Sequence, residues 1–237
     1  MTTIAPVVVT GNLLLSRLAP DDAAMLSPYL EEHTLVQGDL IVAAGDHFTH
    51  AWFPDTAVLS VINKMSDGSG VEIGTIGNEG FVGIGALLDT PASLHLTIAQ
   101  ISGLAHRIPV PALMKARDES ASLRRALNRY TCAFIGQVGQ TAACNARHDI
   151  EQRCARWLLM SHDRVGDTDT FSLKHEYLAI MLGVRRTGVT IAAGALQARG
   201  LIRYRRGIIR IVDREGLEER ACECYQVVRD QFLAWDQ

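Results

Sequence analysis

Between residues 109 and 112 the chain changes its period. From about 35 to 110 it runs as short apolar stretches (LIVAAGD, HAWFP, AVLSVINKMSDGSGVEIGTIGNEG, LTIAQISGLAHRIP) broken by glycine and aspartate at roughly ten-residue intervals. Strand-like runs separated by Gly-Asp, Asp-Gly and Asn-Glu-Gly turns predict an antiparallel roll or barrel. After Pro109 and Pro111 that pattern stops, and apolar side chains recur three or four residues apart, the helical period. Strands gathered first and helices afterwards predict the α+β class rather than an alternating α/β sheet.

Residues 112 to 147 read as one long helix with Leu123, Leu127, Tyr130, Phe134 and Val138 in a stripe, which has to be buried against something. Gly136 and Gly139 lie inside it, each costing about 1 kcal/mol relative to alanine. Their presence predicts the close approach of another backbone, read here as the partner helix of a second subunit. A further helix, HDIEQRCARWLLMSHDRV (148 to 165), sets Ile150, Cys154, Trp157, Leu158 and Val165 on one side, and GDTDT ends it. Ahead of the roll, residues 13 to 32 read as a short helix pair, Pro20-Asp21-Asp22 marking a helix start. The boundary is therefore expected at 148. The first domain, 1–148, would hold a roll (about 33–110) and a dimerisation helix (about 112–147); the second would be 149–237.

The formal net charge is only −3, but it is unevenly spread. Residues 1 to 150 carry 9 Lys/Arg against 14 Asp/Glu, whereas 171 to 214 carry 9 Lys/Arg against Glu176 and Asp213. The stretch LAIMLGVRRTGVTIAAGALQARGLIRYRRGIIRI, 178 to 211, holds seven arginines and no acid. An acidic half joined to a compact basic segment predicts a polyanion-binding module attached to a part with another task.

The spacing inside that stretch fits a helix-turn-helix. Leu178, Ala179 and Leu182 form the inner side of a first helix, Gly183 supplies the turn, and Val184, Val189 and Ala192 return to the shared core. Arg185, Arg186, Thr187 and Thr190 then fall in the first half of the second helix, where side chains reach base edges in the major groove. LIRYRRGIIRIV reads as a hairpin wing around Arg205-Arg206-Gly207, with Arg203, Arg205 and Arg206 suited to phosphate contacts.

With these motifs in place, residues 13 to 215 resemble the CRP/FNR superfamily of bacterial transcription regulators. The likeness is carried by the basic stretch above and by GNEGFVGIGALL, 77 to 88. It implies an N-terminal cyclic-nucleotide-binding-like jelly roll, a long dimerisation helix and a C-terminal winged helix-turn-helix, in a homodimer that reads a two-fold palindromic operator on double-stranded DNA. It also implies contact with RNA polymerase if the protein is an activator. Family members commonly present Arg-Glu and, a turn later, arginine or serine. Here Arg186 falls on the arginine, Thr187 replaces the glutamate and Ile191 the later residue, so the half-site should differ from the familiar ones. The implied effector pocket falls on Glu79, Gly80, Phe81, Gly83, Ile84 and His95. Cyclic-nucleotide binders place a glutamate where Ile84 stands and an arginine nearby for the phosphate, yet residues 80 to 106 contain no Lys or Arg. A buried phosphate without a cation is costly, so the pocket is read as degenerate, its small-molecule effector unidentified.

Two alternatives compete with this reading: a cyclic-nucleotide-responsive regulator, and a cupin-like roll holding a metal through His47, His50, His95 and His106 with an accessory DNA-binding domain. The histidines lack the close His-x-His pair that such sites favour. The five cysteines, Cys132, Cys144, Cys154, Cys222 and Cys224, include no C-x-x-C pair and are read as buried reduced thiols, although Cys222-Glu-Cys224 could sense oxidants. Neither metal nor cofactor nor enzymatic activity is expected. No stretch approaches the roughly 18 to 20 uncharged apolar residues of a membrane span, and MTTIAPVVVTGN lacks the features of a secretory leader, so a cytoplasmic protein is expected.

Overall fold

The computed structural model describes residues 10–90, 92–166 and 168–233. The first nine residues, on which the expectation about a leader mainly falls, lie outside that set. Helices α1 (Leu13–Ser16) and α2 (Pro20–Leu26) lead into β1 (Glu31–Leu35), β2 (Leu40–Val42), β3 (His50–Pro54), β4 (Val58–Lys64) and β5 (Gly70–Ile76). A short α3 (Ile84–Leu87) precedes β6 (Leu96–Ile101) and β7 (Gly103–Pro109). These strands form two antiparallel sheets, β1-β7-β3 and β2-β6-β4-β5, with the buried side chains of Phe53, Leu59, Ile76, Phe81 and Ile108 among those between them. The roll predicted from the turns is present.

The helical part begins as α4 (Val110–Glu119) and α5 (Ala121–Arg147). The single helix expected over 112–147 is thus two. Ser120 is extended and its hydroxyl accepts from the Leu123 N–H at 3.2 Å; a serine that caps a new helix competes with continuing the old one. His148 is again extended, and Asp149 with Gln152 forms a capping box that starts α6 (Ile150–His162). Then follow β8 (Thr170–Ser172), α7 (His175–Leu182), α8 (Arg186–Ala198), β9 (Ile202–Arg205), β10 (Ile208–Ile211), α9 (Arg214–Arg220) and α10 (Cys224–Leu233). No single helix among the described residues is long and apolar enough to cross a membrane.

The stripe expected to face a second subunit is instead largely covered by the same chain. Leu123, Leu127 and Tyr130 are fully buried. The Tyr130 ring lies 5.2 Å from Phe81 of the roll and 6.2 Å from Phe232 of α10. Gly80 makes that approach possible, since a Cβ there would sit 1.9 Å from the tyrosine ring. Phe134 and Val138 are half-buried. The two helix glycines also part company. Gly136 makes room for Gln231 of α10, 2.9 Å from where its Cβ would be, whereas Gly139 has open space around it.

Buried polar contacts join the roll to the helices behind it. Glu79, after β5, forms a bidentate ion pair with Arg164, just beyond α6, at 2.8 to 3.0 Å, and both side chains are buried. Glu72 of β5 accepts from Trp157 Nε1 of α6 at 3.1 Å and from Thr75 Oγ1 at 2.8 Å, with Ser60 also donating to it. Val71 packs on Gly183, and Ile180 of α7 lies beside Gly70, so the β4–β5 hairpin rests on the first helix of the basic segment and the turn after it.

Candidate nucleic-acid interface

Helix α7 ends at Gly183, whose φ of 59° and ψ of 39° place it in the left-handed region where a side chain costs energy. Val184 N–H then returns to Ala179 O at 3.0 Å, and the axis turns by 99° into α8. Arg153 of α6 donates through Nη2 to the carbonyl of Leu182, satisfying an oxygen that the end of α7 leaves without a helical partner. That cap is invisible in the local spacing because α6 is distant in sequence. Leu178, Leu182, Val189 and Ala192 are buried between the two helices, as the spacing requires.

Arg185 is the extended residue that precedes α8, and Arg186 is its first helical residue. Together with Thr187, Thr190 and Ile191 they are exposed, forming a face one turn apart along the start of the helix. The Thr190 hydroxyl donates to Arg186 O at 3.0 Å and lies 3.4 Å from His175 Nδ1 of α7. His175, at the start of α7, packs its ring at a tilt of 36° against Tyr204 of β9 with centroids 4.6 Å apart, bringing the wing beside the helix pair.

The wing has three strands, β8-β10-β9; the sequence signals only the last two, because β8 is a three-residue strand behind GDTDT. Arg205 pairs with Ile208 across a two-residue turn. Arg206 and Gly207 have φ of 52° and 79°, the paired positive values of a tight hairpin turn. Ile202, Ile209 and Ile211 point inward, while Arg203, Arg205, Arg206 and Arg210 are exposed. Among the described residues none of Arg185, Arg186, Arg203, Arg205, Arg206 and Arg210 forms an ion pair, whereas Arg199, Arg214 and Arg220 are held by Glu151, Asp163 or Glu218. Within the basic segment the guanidiniums without an acidic partner are those at the start of α8 and on the wing, a local concentration of positive charge facing solvent.

Away from this face a half-open cavity of about 350 Å³ lies between the roll and α5, lined by Phe48, Val61, Ile73, Phe81, Gly83, Ile84, Leu94, His95, Phe134, Ile135 and Val138 among others. Four of the six pocket residues read from the sequence line it: Phe81, Gly83, Ile84 and His95. Glu79 and Gly80 do not. The carboxylate is committed to Arg164, and the glycine faces Tyr130. Among the described residues no Lys or Arg lines the cavity, while three residues of α5 do.

The roll histidines do not converge. His106 is buried against Asp55 at 2.9 Å, and His95 Nδ1 lies 2.6 Å from Asn63 Oδ1. Four of the five cysteines are buried free thiols, as read from the sequence, and one is not. Cys132 is exposed, Cys154 is buried in the core, and Cys144, Cys222 and Cys224 meet one another and His148.

The fold and this face define a winged helix-turn-helix protein whose reading head is joined to a β-roll. Residues 152–220 match the Crp-like helix-turn-helix domain. No curated protein matches the chain in sequence, but solved structures do in fold. FixK2 from Bradyrhizobium japonicum is 15% identical with a TM-score of 0.67, the match covering 81% of this chain and 98% of that one. A CRP-family transcriptional regulator from Thermus thermophilus is 18% identical with a TM-score of 0.67, over 80% and 96% of the two chains. The c-di-GMP responsive global regulator CLP from Xanthomonas campestris is 16% identical with a TM-score of 0.61, over 78% and 94%. The chain thus carries a Crp-like helix-turn-helix domain and shares its overall fold with these solved regulators.

Proposed function

We propose that the protein is a non-enzymatic, sequence-specific, DNA-binding transcriptional regulator that acts as a cytoplasmic homodimer on a palindromic operator. The observation that carries this reading is the group of unpaired arginines shared by the first turn of α8 and the wing, on a domain of the Crp-like type. Arg185, Arg186, Thr187 and Thr190 meet base edges in the major groove; Arg203, Arg205 and Arg206 hold phosphates. Two copies meet along the outer face of α5, where Asn128, Cys132, Ile135, Gly139 and Ala142 recur at three- and four-residue spacing and are exposed. If the protein activates, the same dimer contacts RNA polymerase.

The roll binds an uncharged, largely apolar small molecule. CLP is described as responsive to c-di-GMP, but the cavity here offers phosphate no cation among its described residues, and burying an unpaired phosphate is prohibitive. Because Phe134, Ile135 and Val138 of α5 line the same cavity, a ligand there touches the helix that also carries the dimer seam. Regulation requires that ligand to bind two arrangements of the seam with different affinities.

The test is selection of bound fragments from genomic DNA, followed by titration of the selected sequence at several salt concentrations. Arg186→Ala is expected to cost about 1 to 3 kcal/mol and to relax preference at one base pair. Arg205→Ala should weaken all sequences alike and reduce the salt slope by about 1. If both changes weaken every sequence by the same factor, α8 does not read the groove.

A further inference from the structure

Cys144 and His148 stand one turn apart at the end of α5, and Cys222 and Cys224 flank the bend between α9 and α10. The fold brings these four together, with one ligand-type atom from each residue lying within 4.8 Å of all the others. The Cys144 and Cys222 sulfurs are 3.5 Å apart, and Cys224 Sγ is 3.6 Å from His148 Nδ1. Ligands of a tetrahedral zinc ion, at bond lengths of about 2.0 to 2.3 Å, stand about 3.5 to 3.8 Å from one another. We propose that Cys144, His148, Cys222 and Cys224 form a Cys3His zinc site that ties α10 to the end of α5.

Three surrounding features favour a bound ion over a chance meeting of thiols. First, His148 turns Nδ1 toward the sulfurs while its Nε2 lies 3.1 Å from the Glu223 carboxylate. A carboxylate on the far nitrogen holds the proton there and leaves the near lone pair free, the usual support of a zinc-bound imidazole. Glu223 is the middle residue of Cys222-Glu-Cys224, so one short segment supplies two ligands and the support of a third. Second, Arg153 and Arg156 of α6 line one small cavity with Thr141 and Asn145, the α5 residues on either side of Cys144, and Arg156 Nη2 donates to Thr141 Oγ1 at 3.2 Å. Their Nε atoms are buried without a hydrogen-bond partner. Three thiolates and a histidine around a divalent zinc carry one net negative charge, which these guanidiniums offset; three neutral thiols would offer them nothing. Third, Gln140 Nε2 lies 3.0 Å from Cys224 Sγ, as a donor to a thiolate ligand would.

With four protein ligands the site is closed, which makes it structural rather than catalytic. Its position gives it a further role, which rests on the DNA-binding reading. His148 is the extended residue between α5 and α6, so an ion there fixes the joint through which the roll and dimer helix meet the reading head. Removing the ion should release α10 and that joint while leaving the α8 face intact.

The full chain, purified without chelator, should hold one zinc ion, by elemental analysis. Cobalt exchanged into the wild-type protein should give the visible bands of tetrahedral thiolate coordination. Cys222→Ser and His148→Asn should lower zinc content at least about tenfold, Cys132→Ser should leave it unchanged, and Glu223→Gln should weaken zinc affinity about 10- to 100-fold. Chelation should make three additional thiols reactive in the wild type, a measurement that needs no variant to fold. Zinc-free protein with those thiols already reactive, iron in place of zinc, or a Cys144–Cys222 disulfide in unreduced protein would each overturn the site. Zinc content is read without DNA, so failure of the DNA-binding reading leaves this result standing, and the reverse holds too.

Discussion

Glu72 is a carboxyl group shut away from water between β5, α6 and α7. Burial pushes its pKa up to about 7, against the opposing pull of Ser60, Thr75, Trp157 and Arg156. The folded protein therefore holds this proton more tightly than the unfolded chain does. The resulting stability is fully present below the ordinary value of 4.5 and is lost as pH rises through about 7. Urea denaturation at a series of pH values should show wild-type stability falling across that window by on the order of 3 kcal/mol, and Glu72→Gln should flatten the fall. An equal slope in the variant would assign it to other groups. Nothing in GVEIGTI announces this. Strand alternation alone does not say what covers Glu72; Trp157, 85 residues further on, donates to it, and Arg156 and Met181 border the same space.

Helix α5 illustrates what periodicity can and cannot say. The 3.6-residue repeat identified Leu123, Leu127 and Tyr130 as a buried side, and they are. It could not say what buries them, because α10, which does much of the covering, lies beyond the last element read from the sequence. The break at Ser120 was likewise unread, since a serine within apolar periodicity looks like any surface residue until its hydroxyl caps Leu123. The outer side carries an exposed Cys132 and an Ile135 that is 62% exposed. Mild oxidation should therefore join two chains through Cys132 in high yield without preventing DNA binding. Ile135→Asp should shift the protein to monomer in sedimentation analysis. A dimer unaffected by that charge would move the seam elsewhere.

At the level of the whole molecule, the order of roll, long helix and winged head was legible because turns, helix starts and the Gly183 corner are local chemistry. The contacts between those parts were not, because they pair residues far apart in sequence. The buried Glu79–Arg164 pair is the clearest case: Arg164 also donates to Met160 O at 2.6 Å and lies 6.0 Å from the Phe232 ring centre, so one guanidinium touches the roll, α6 and α10. Removing one partner leaves a buried charge alone. Glu79→Gln should destabilise the protein by about 3 to 5 kcal/mol, and replacing both residues with methionine should cost less than that. Chemical denaturation of the single variant and the double variant decides it.

The return of α10 to α5 constrains how the head can move. The head is held in several places: α6 leaves α5 at His148, α10 lies back along α5, and the β4–β5 hairpin rests on α7. A body pinned at several separated points has no free hinge, so any reorientation of the arginine face has to break at least one of these contacts first.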